Sequence, residues 1–154
     1  MSLLSDDIRD LLQIMTEHGV EFAICGGHAV AYHGYPRMTM DVDILLLPTI
    51  ENAKRIIASL EQFGFGQAGI PPAAFTREGT AITLGEQPNQ VDLLTSMSRE
   101  PVGNIMQNAV WGELAGINVR FVSRDDLLEA KRQAGRPKDL ADLDELAKPL
   151  VDRY

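Results

Sequence analysis

Asp41-Val42-Asp43-Ile44-Leu45-Leu46-Leu47 places two carboxylates one residue apart at the mouth of an apolar run, and the pair Gly26-Gly27 precedes it by thirteen intervening residues. In a strand, side chains at i and i+2 share a face, so Asp41 and Asp43 point the same way while Val42 points into the core. A carboxylate pair at an exposed strand end suits hard divalent ions such as Mg²⁺, which take oxygen ligands and keep positions for water and substrate phosphates. The constellation therefore reads as a metal-dependent nucleotide site, and the expected chemistry is phosphate chemistry.

Working outward, the residues before this strand read as strand, glycine turn and helix. Glu21 to Cys25 form a short buried strand, Gly26-Gly27 a tight turn, and His28 to His33 a short helix closed by Gly34. Ser5 caps an earlier helix whose apolar positions Ile8, Leu11, Leu12 and Met15 follow the helical period, with Gly19 at its end. After the Asp41 to Leu47 strand, Pro48 stops the run and Thr49 caps a helix bearing Ile50, Ala53, Ile56, Ile57 and Leu60. Ala81 to Leu84 and Val91 to Leu94 read as a strand pair, with Ser96 to Gly103 as loop. Ala109 to Leu114 and Ile117 to Val122 read as two strands around Gly116. Ser123 and Asp126 open a helix over Leu127 to Ala134 that Gly135 ends, and Pro137 starts a last helix bearing Leu140, Leu143, Leu146 and Leu150. Helices and strands alternate without an internal repeat. The expected fold class is α/β, in one domain spanning 1–154.

The composition bounds the function. With 45% hydrophobic and 23% charged residues the chain has an ordinary globular balance, and no stretch has the apolar length of a membrane span. Met1 to Asp7 lack a basic segment followed by an apolar one, so no secretory signal and a cytoplasmic location are expected. The single cysteine, Cys25, lies in the apolar run Phe22-Ala23-Ile24-Cys25 and reads as a core residue rather than a nucleophile. A net charge of −8 argues against a broad nucleic-acid footprint, because phosphate neutralisation supplies most of that affinity. Six of the fourteen basic residues nevertheless cluster between Arg120 and Lys138. On one face they suit phosphates; on a solvated helix they equally suit pairing with Asp125, Glu129 and Asp139.

Nucleotidyl transfer is an in-line displacement at phosphorus that two bridged metal ions can template. Asp41 and Asp43 are the residues to bridge them, and a third carboxylate is expected from a neighbouring strand. Asp92, isolated within Val91-Asp92-Leu93-Leu94, is that candidate: an aspartate amid apolar residues needs a cation or a solvated strand end. It can act as general base or only orient an ion. Gly26-Gly27 lets backbone N–H groups approach a triphosphate at the start of the following helix. His28 and His33 stand five apart, off the i,i+4 spacing of a zinc pair, which points to structural roles.

Ile24-Cys25-Gly26-Gly27, followed by His33-Gly34-Tyr35-Pro36-Arg37-Met38-Thr39-Met40-Asp41-Val42-Asp43, resembles the signature of the polymerase-beta-type nucleotidyltransferase superfamily. With the late run Gly135-Arg136-Pro137-Lys138-Asp139-Leu140-Ala141-Asp142, the pattern H-G-x-x-R-x-T-x-D-x-D and K-D-x-x-D resembles its AbiEii-type members, many of them toxins of toxin–antitoxin pairs. The resemblance covers about residues 20–148 and implies the nucleotidyltransferase fold, α/β (α+β) with a small mixed β-sheet flanked by helices. It implies that Gly26 and Gly27 bind triphosphate, Asp41 and Asp43 hold both of two Mg²⁺ ions (or Mn²⁺), and Asp92 holds the catalytic one. It further implies that Arg37, Thr39 and Lys131 approach phosphate or nucleotide and that Lys138 and Asp139 finish the pocket. The implied reaction moves an NMP from an NTP to a hydroxyl acceptor (a tRNA end, a protein or a small molecule) with release of pyrophosphate. The implied partners are the NTP, that acceptor and, in the toxin setting, an antitoxin protein. The competing expectation is a module that keeps the fold and binds nucleotide or partner without turnover.

Overall fold

A computed structural model describes residues 5–36, 39 and 41–148. The elements run α1 (Asp6–Glu17), β1 (Phe22–Cys25), α2 (Gly26–Tyr32), β2 (Val42–Leu46), α3 (Ile50–Phe63), β3 (Ala81–Leu84), β4 (Val91–Leu94), α4 (Val102–Asn108), β5 (Val110–Leu114), β6 (Ile117–Phe121), α5 (Arg124–Ala134) and α6 (Pro137–Ala147). Two 3₁₀ turns, Gly66–Ala68 and Pro72–Phe75, occupy the stretch between α3 and β3.

The six strands form one mixed sheet in the order β3-β4-β2-β1-β6-β5. β1 runs antiparallel to β2 and parallel to β6, β2 runs parallel to β4, and the β3–β4 and β5–β6 pairs are antiparallel. Central strands buried on both faces carry unbroken apolar runs, and β1 is buried at all four positions. β2 is buried at every residue except Asp43, so that one half-exposed position marks where the strand leaves the core.

The helix boundaries follow the capping residues read from the sequence. Ser5, Thr49 and Ser123 accept hydrogen bonds from the backbone N–H groups of Ile8, Asn52 and Asp126 at 3.3, 3.1 and 3.1 Å. α1 buries Ile8, Leu11, Leu12 and Met15 against the sheet and α3. Asn52, buried in the first turn of α3, binds the Glu21 backbone through both amide groups (2.7 and 2.9 Å) and the Leu47 carbonyl (2.9 Å), tying that helix to the ends of β1 and β2.

Three expectations change. The glycine pair is the opening of α2 rather than a separate turn, because Gly26 at φ +65° makes the corner and the helix begins at once. The Ser96 to Gly103 loop ends early, in α4. The helix is seven residues long with Val102, Ile105 and Met106 buried, too short for their period to declare itself. In α6 the buried positions are Asp139, Asp142 and Leu146, Leu143 packs at the core's margin, and Leu140 is 52% exposed. Leu150 lies outside the described residues. No helix among the described residues is long and apolar enough to cross a membrane.

Candidate active site

Strand register assembles the site. β2 and β4 run parallel with Asp43 opposite Asp92, the antiparallel β1–β2 pair sets Cys25 opposite Asp43, and β3 sets Thr83 opposite Asp92. Thr83, Asp92, Asp43 and Cys25 thus form one row across four strands, at the end of β1 where the chain turns into α2. Directly opposed residues share a face with Cβ atoms about 5 Å apart, so two carboxylates from strands distant in sequence are forced together.

Their electrostatics record that crowding. Burial, a hydrogen bond shared with Asp92, and the charges of Asp92 and Asp41 push the Asp43 carboxyl up to about 7, with Lys138 opposing. The Cys25 thiol is driven far above its ordinary range by burial first and then by Asp43 and Asp92, so it is an inert core group. Its Sγ–H donates to the Asp43 carbonyl at 3.6 Å. In the metal-free protein native Asp43 keeps its proton to about pH 7, whereas an ordinary carboxyl loses it near 3.8. The native state therefore binds the extra proton between those values, and through this group stability falls as pH rises across that window. In EDTA, wild type should lose melting temperature relative to Asp43→Asn from pH 4 to 7; parallel profiles would contradict this assignment.

Asp41 precedes β2, and its two carboxylate oxygens accept from the Gln87 side-chain amide at 3.0 and 3.3 Å. Asp92 accepts from the Thr83 hydroxyl at 2.6 Å and from the Gln90 amide at 3.5 Å. Among the described residues no three His, Cys, Asp or Glu side chains converge as a ready cage for a metal. Asp43 and Asp92 face each other, while Asp41 is turned to Gln87. Oxygen-only donors and a proton retained between two crowded carboxyls are what a hard dication would replace. The pair fits one, whereas Asp41 is bonded to Gln87.

The two glycines differ in how much room they have. A Cβ on Gly26 would run into the Asp43 carboxylate, and one on Gly27 would stand 3.2 Å from the Thr39 side chain. Gly26 also has a positive φ of +65°, which costs an L-residue about 1–2 kcal/mol. Gly19, at φ +71° with nothing near its Cβ, is the internal control. Gly26→Ala should therefore destabilise more than Gly19→Ala in chemical denaturation and weaken divalent-ion binding, which Gly19→Ala leaves alone. Equal losses would remove the steric argument.

α5 and α6 close a cleft of ≈ 180 Å³ over Cys25, Gly26 and Asp43, with Lys131, Arg136 and Asp139 on its far wall. Lys131 Nζ lies 2.8 Å from Asp142 and 3.7 Å from Asp139. Asp139 accepts from Arg136 Nε at 2.7 Å and from the Arg136 backbone N–H at 3.2 Å. The Arg136 bond is the main force holding its carboxyl below the usual range. Asp139 therefore caps α6 and pairs with cations. Lys138 is exposed, with its charge acting on Asp43. Thr39 packs by Gly27 and donates to the Asp41 carbonyl at 3.4 Å. Arg37 lies outside the described residues. His33 Nε2 donates to the Val122 carbonyl at 2.7 Å, a structural tie between α2 and the end of β6.

Sequence reading missed Thr83, Gln87, Gln90 and Asp142 as partners of the charged groups. Thr83 was findable once β3 and β4 were paired, since it stands opposite Asp92; a solvent-exposed glutamine in a turn carries no such signal.

No protein-family model matches the chain, and no curated protein matches it in sequence. Solved structures do share its fold. The antibiotic-resistance factor ANT(2'')-Ia superposes with a TM-score of 0.61 at 15% identity, over 96% of this chain and 84% of that one. A putative nucleotidyltransferase (TM1012) from Thermotoga maritima gives 0.57 at 14% identity, over 94% of both chains. The lincosamide antibiotic adenylyltransferase LnuA, in a lincomycin-bound structure, gives 0.54 at 14%, over 93% and 96%. The chain has the nucleotidyltransferase fold.

Proposed function

We propose that this protein is a divalent-metal-dependent nucleotidyltransferase that moves an NMP from an NTP to a hydroxyl acceptor and releases pyrophosphate. The observation that carries the reading is the register placing Asp43 against Asp92 beside a corner where Gly26 admits no side chain. Asp43 and Asp92 would hold the metal with Asp41 completing the set, and the bound ions would supply Lewis-acid activation and stabilise charge on the departing pyrophosphate.

The chain's own residues do the rest. Backbone at Gly26 and Gly27 approaches the triphosphate closely because no Cβ intervenes. Lys131, on the facing wall of the cleft, has its ammonium held in place by Asp142 and Asp139 and presents it, already paired, toward the phosphates. The acceptor oxygen forms its bond to the α-phosphorus as the bond to the β-bridging oxygen breaks. The acceptor proton passes to the Asp92 carboxylate.

Among acceptors, the net charge of −8 disfavours a long nucleic-acid footprint. Two fold neighbours, an antibiotic-resistance factor and an antibiotic adenylyltransferase, point the same way. Together they favour a small hydroxylated molecule over an RNA end. The toxin-type reading, with its antitoxin partner, rests on the His33 to Asp43 pattern and the Lys138 to Asp142 run. Incubation with each α-labelled NTP, Mg²⁺ and separated RNA, protein and small-molecule fractions tests the proposal. Label should enter one fraction, the small-molecule one, with wild type and not with Asp41→Asn/Asp43→Asn. Tight NTP binding with no label in any fraction would instead indicate a binding module.

A further inference from the structure

We infer that Thr83 is a positioning residue for Asp92: its hydroxyl fixes one carboxylate oxygen and thereby aims the other at the metal and the acceptor proton. The inference deepens the proposed function and rests on it for the catalytic half of its test. Thr83 Oγ1 lies 2.6 Å from Asp92 Oδ1, and the two residues are direct cross-strand partners in β3 and β4.

An ionised carboxylate only accepts, so the hydroxyl must donate. The donor is well aimed, because β-branching limits threonine χ1 and strand register fixes its Cβ opposite that of Asp92. Aspartate χ2, by contrast, is a broad torsion that nothing local fixes. Gln90, on the same strand as Asp92, reaches Oδ2 only at 3.5 Å, the looser of the two bonds. The arrangement therefore leaves Oδ1 occupied and Oδ2 exchangeable. On the other side Asp92 shares its hydrogen bond with Asp43, so the row Thr83–Asp92–Asp43 is anchored at its outer end by a neutral donor. A neutral donor orients the carboxylate without cancelling the charge that a cation needs, which a lysine or arginine at the same position would do. Thr83 itself is exposed, so replacing it leaves no hole in the core.

The test compares Thr83→Val, which keeps shape and strand preference but loses the hydroxyl, with Thr83→Ser, which restores it. Two quantities are measured: Mn²⁺ affinity by electron paramagnetic resonance, and kcat and KM for transfer. Loss of a group that orients a metal ligand typically costs 10–100-fold, so Thr83→Val should bind Mn²⁺ about tenfold or more weaker. Its kcat should fall by a similar factor with the NTP KM within about threefold of wild type, and Thr83→Ser should recover both. Equal Mn²⁺ affinity in wild type and Thr83→Val overturns the inference whatever the transfer assay shows. So does a Thr83→Ser protein as impaired as Thr83→Val. Wild type that transfers nothing but shows the hydroxyl-dependent Mn²⁺ difference supports Thr83's positioning role and overturns only the functional reading. Wild type that binds no Mn²⁺ at millimolar concentration overturns both.

Discussion

Asp43→Asn is expected to lower nucleotidyl transfer by on the order of 10⁴-fold, since the proposed metal site would lose a ligand charge and with it several kcal/mol of transition-state stabilisation at about 1.4 kcal/mol per tenfold. The protein should stay folded. Asp43 is the central member of the row, with Asp92 directly opposite and Asp41 two residues away, so no neighbour can take its place. An amide there also removes like-charge crowding around a partly buried carboxyl that is pushed up to about 7. The same substitution should therefore raise melting temperature in EDTA at pH 8 while abolishing turnover in Mg²⁺. A folded Asp43→Asn protein with more than about a tenth of wild-type kcat would separate this carboxylate from the chemistry.

The second large effect is on stability. Asp142 is buried in α6 and holds Lys131 at 2.8 Å, with both side chains largely withdrawn from water. Removing one partner of a buried pair strands the other charge, at a cost of about 3–5 kcal/mol; Asp139, 3.7 Å from Lys131, brings the expectation for Asp142→Ala to about 3 kcal/mol. For a chain of 154 residues that corresponds to a fall in melting temperature of roughly 6–12 °C. The double variant Lys131→Met/Asp142→Leu should lose much less than the sum of the single changes, which a double-mutant cycle measures. Additive losses would mean that the two residues act independently.

These two aspartates show what the sequence could and could not reveal. Asp43 was legible as a carboxylate breaking an apolar strand, and Asp92 because a lone carboxylate in an apolar run demands an explanation; the shared face expected for Asp41 and Asp43 was not, because Asp41 precedes β2 and bonds Gln87. Once those strands were read, the α/β alternation followed, the mixed sheet with flanking helices came from the family resemblance, and the capping residues Ser5, Thr49 and Ser123 marked the helix starts in advance. Asp142 was not legible as a core residue. A leucine every third or fourth position in α6 suggested an apolar stripe, yet the helix turns Asp139 and Asp142 inward because Lys131 and Arg136 meet them there. Helical period gives which residues share a face; it does not give which face is buried when an adjacent helix offers cations. α4 was missed for want of length, and the partners Thr83 and Gln87 depend on side-chain meetings across a hairpin, which need strand register to see. Lys131 and Asp139 were expected at the pocket, and they do line the cleft, but as an ion-paired wall anchored by Asp142 and Arg136.

The most direct measurement runs wild type and Asp43→Asn beside each other with ATP labelled at the α- or the γ-phosphate, in Mg²⁺, with the acceptor fraction that labels. Nucleotidyl transfer predicts α-label on the acceptor, γ-label released as pyrophosphate, and neither event with Asp43→Asn. Label from the γ-position on the acceptor, or wild-type and Asp43→Asn proteins that label it equally, would contradict it.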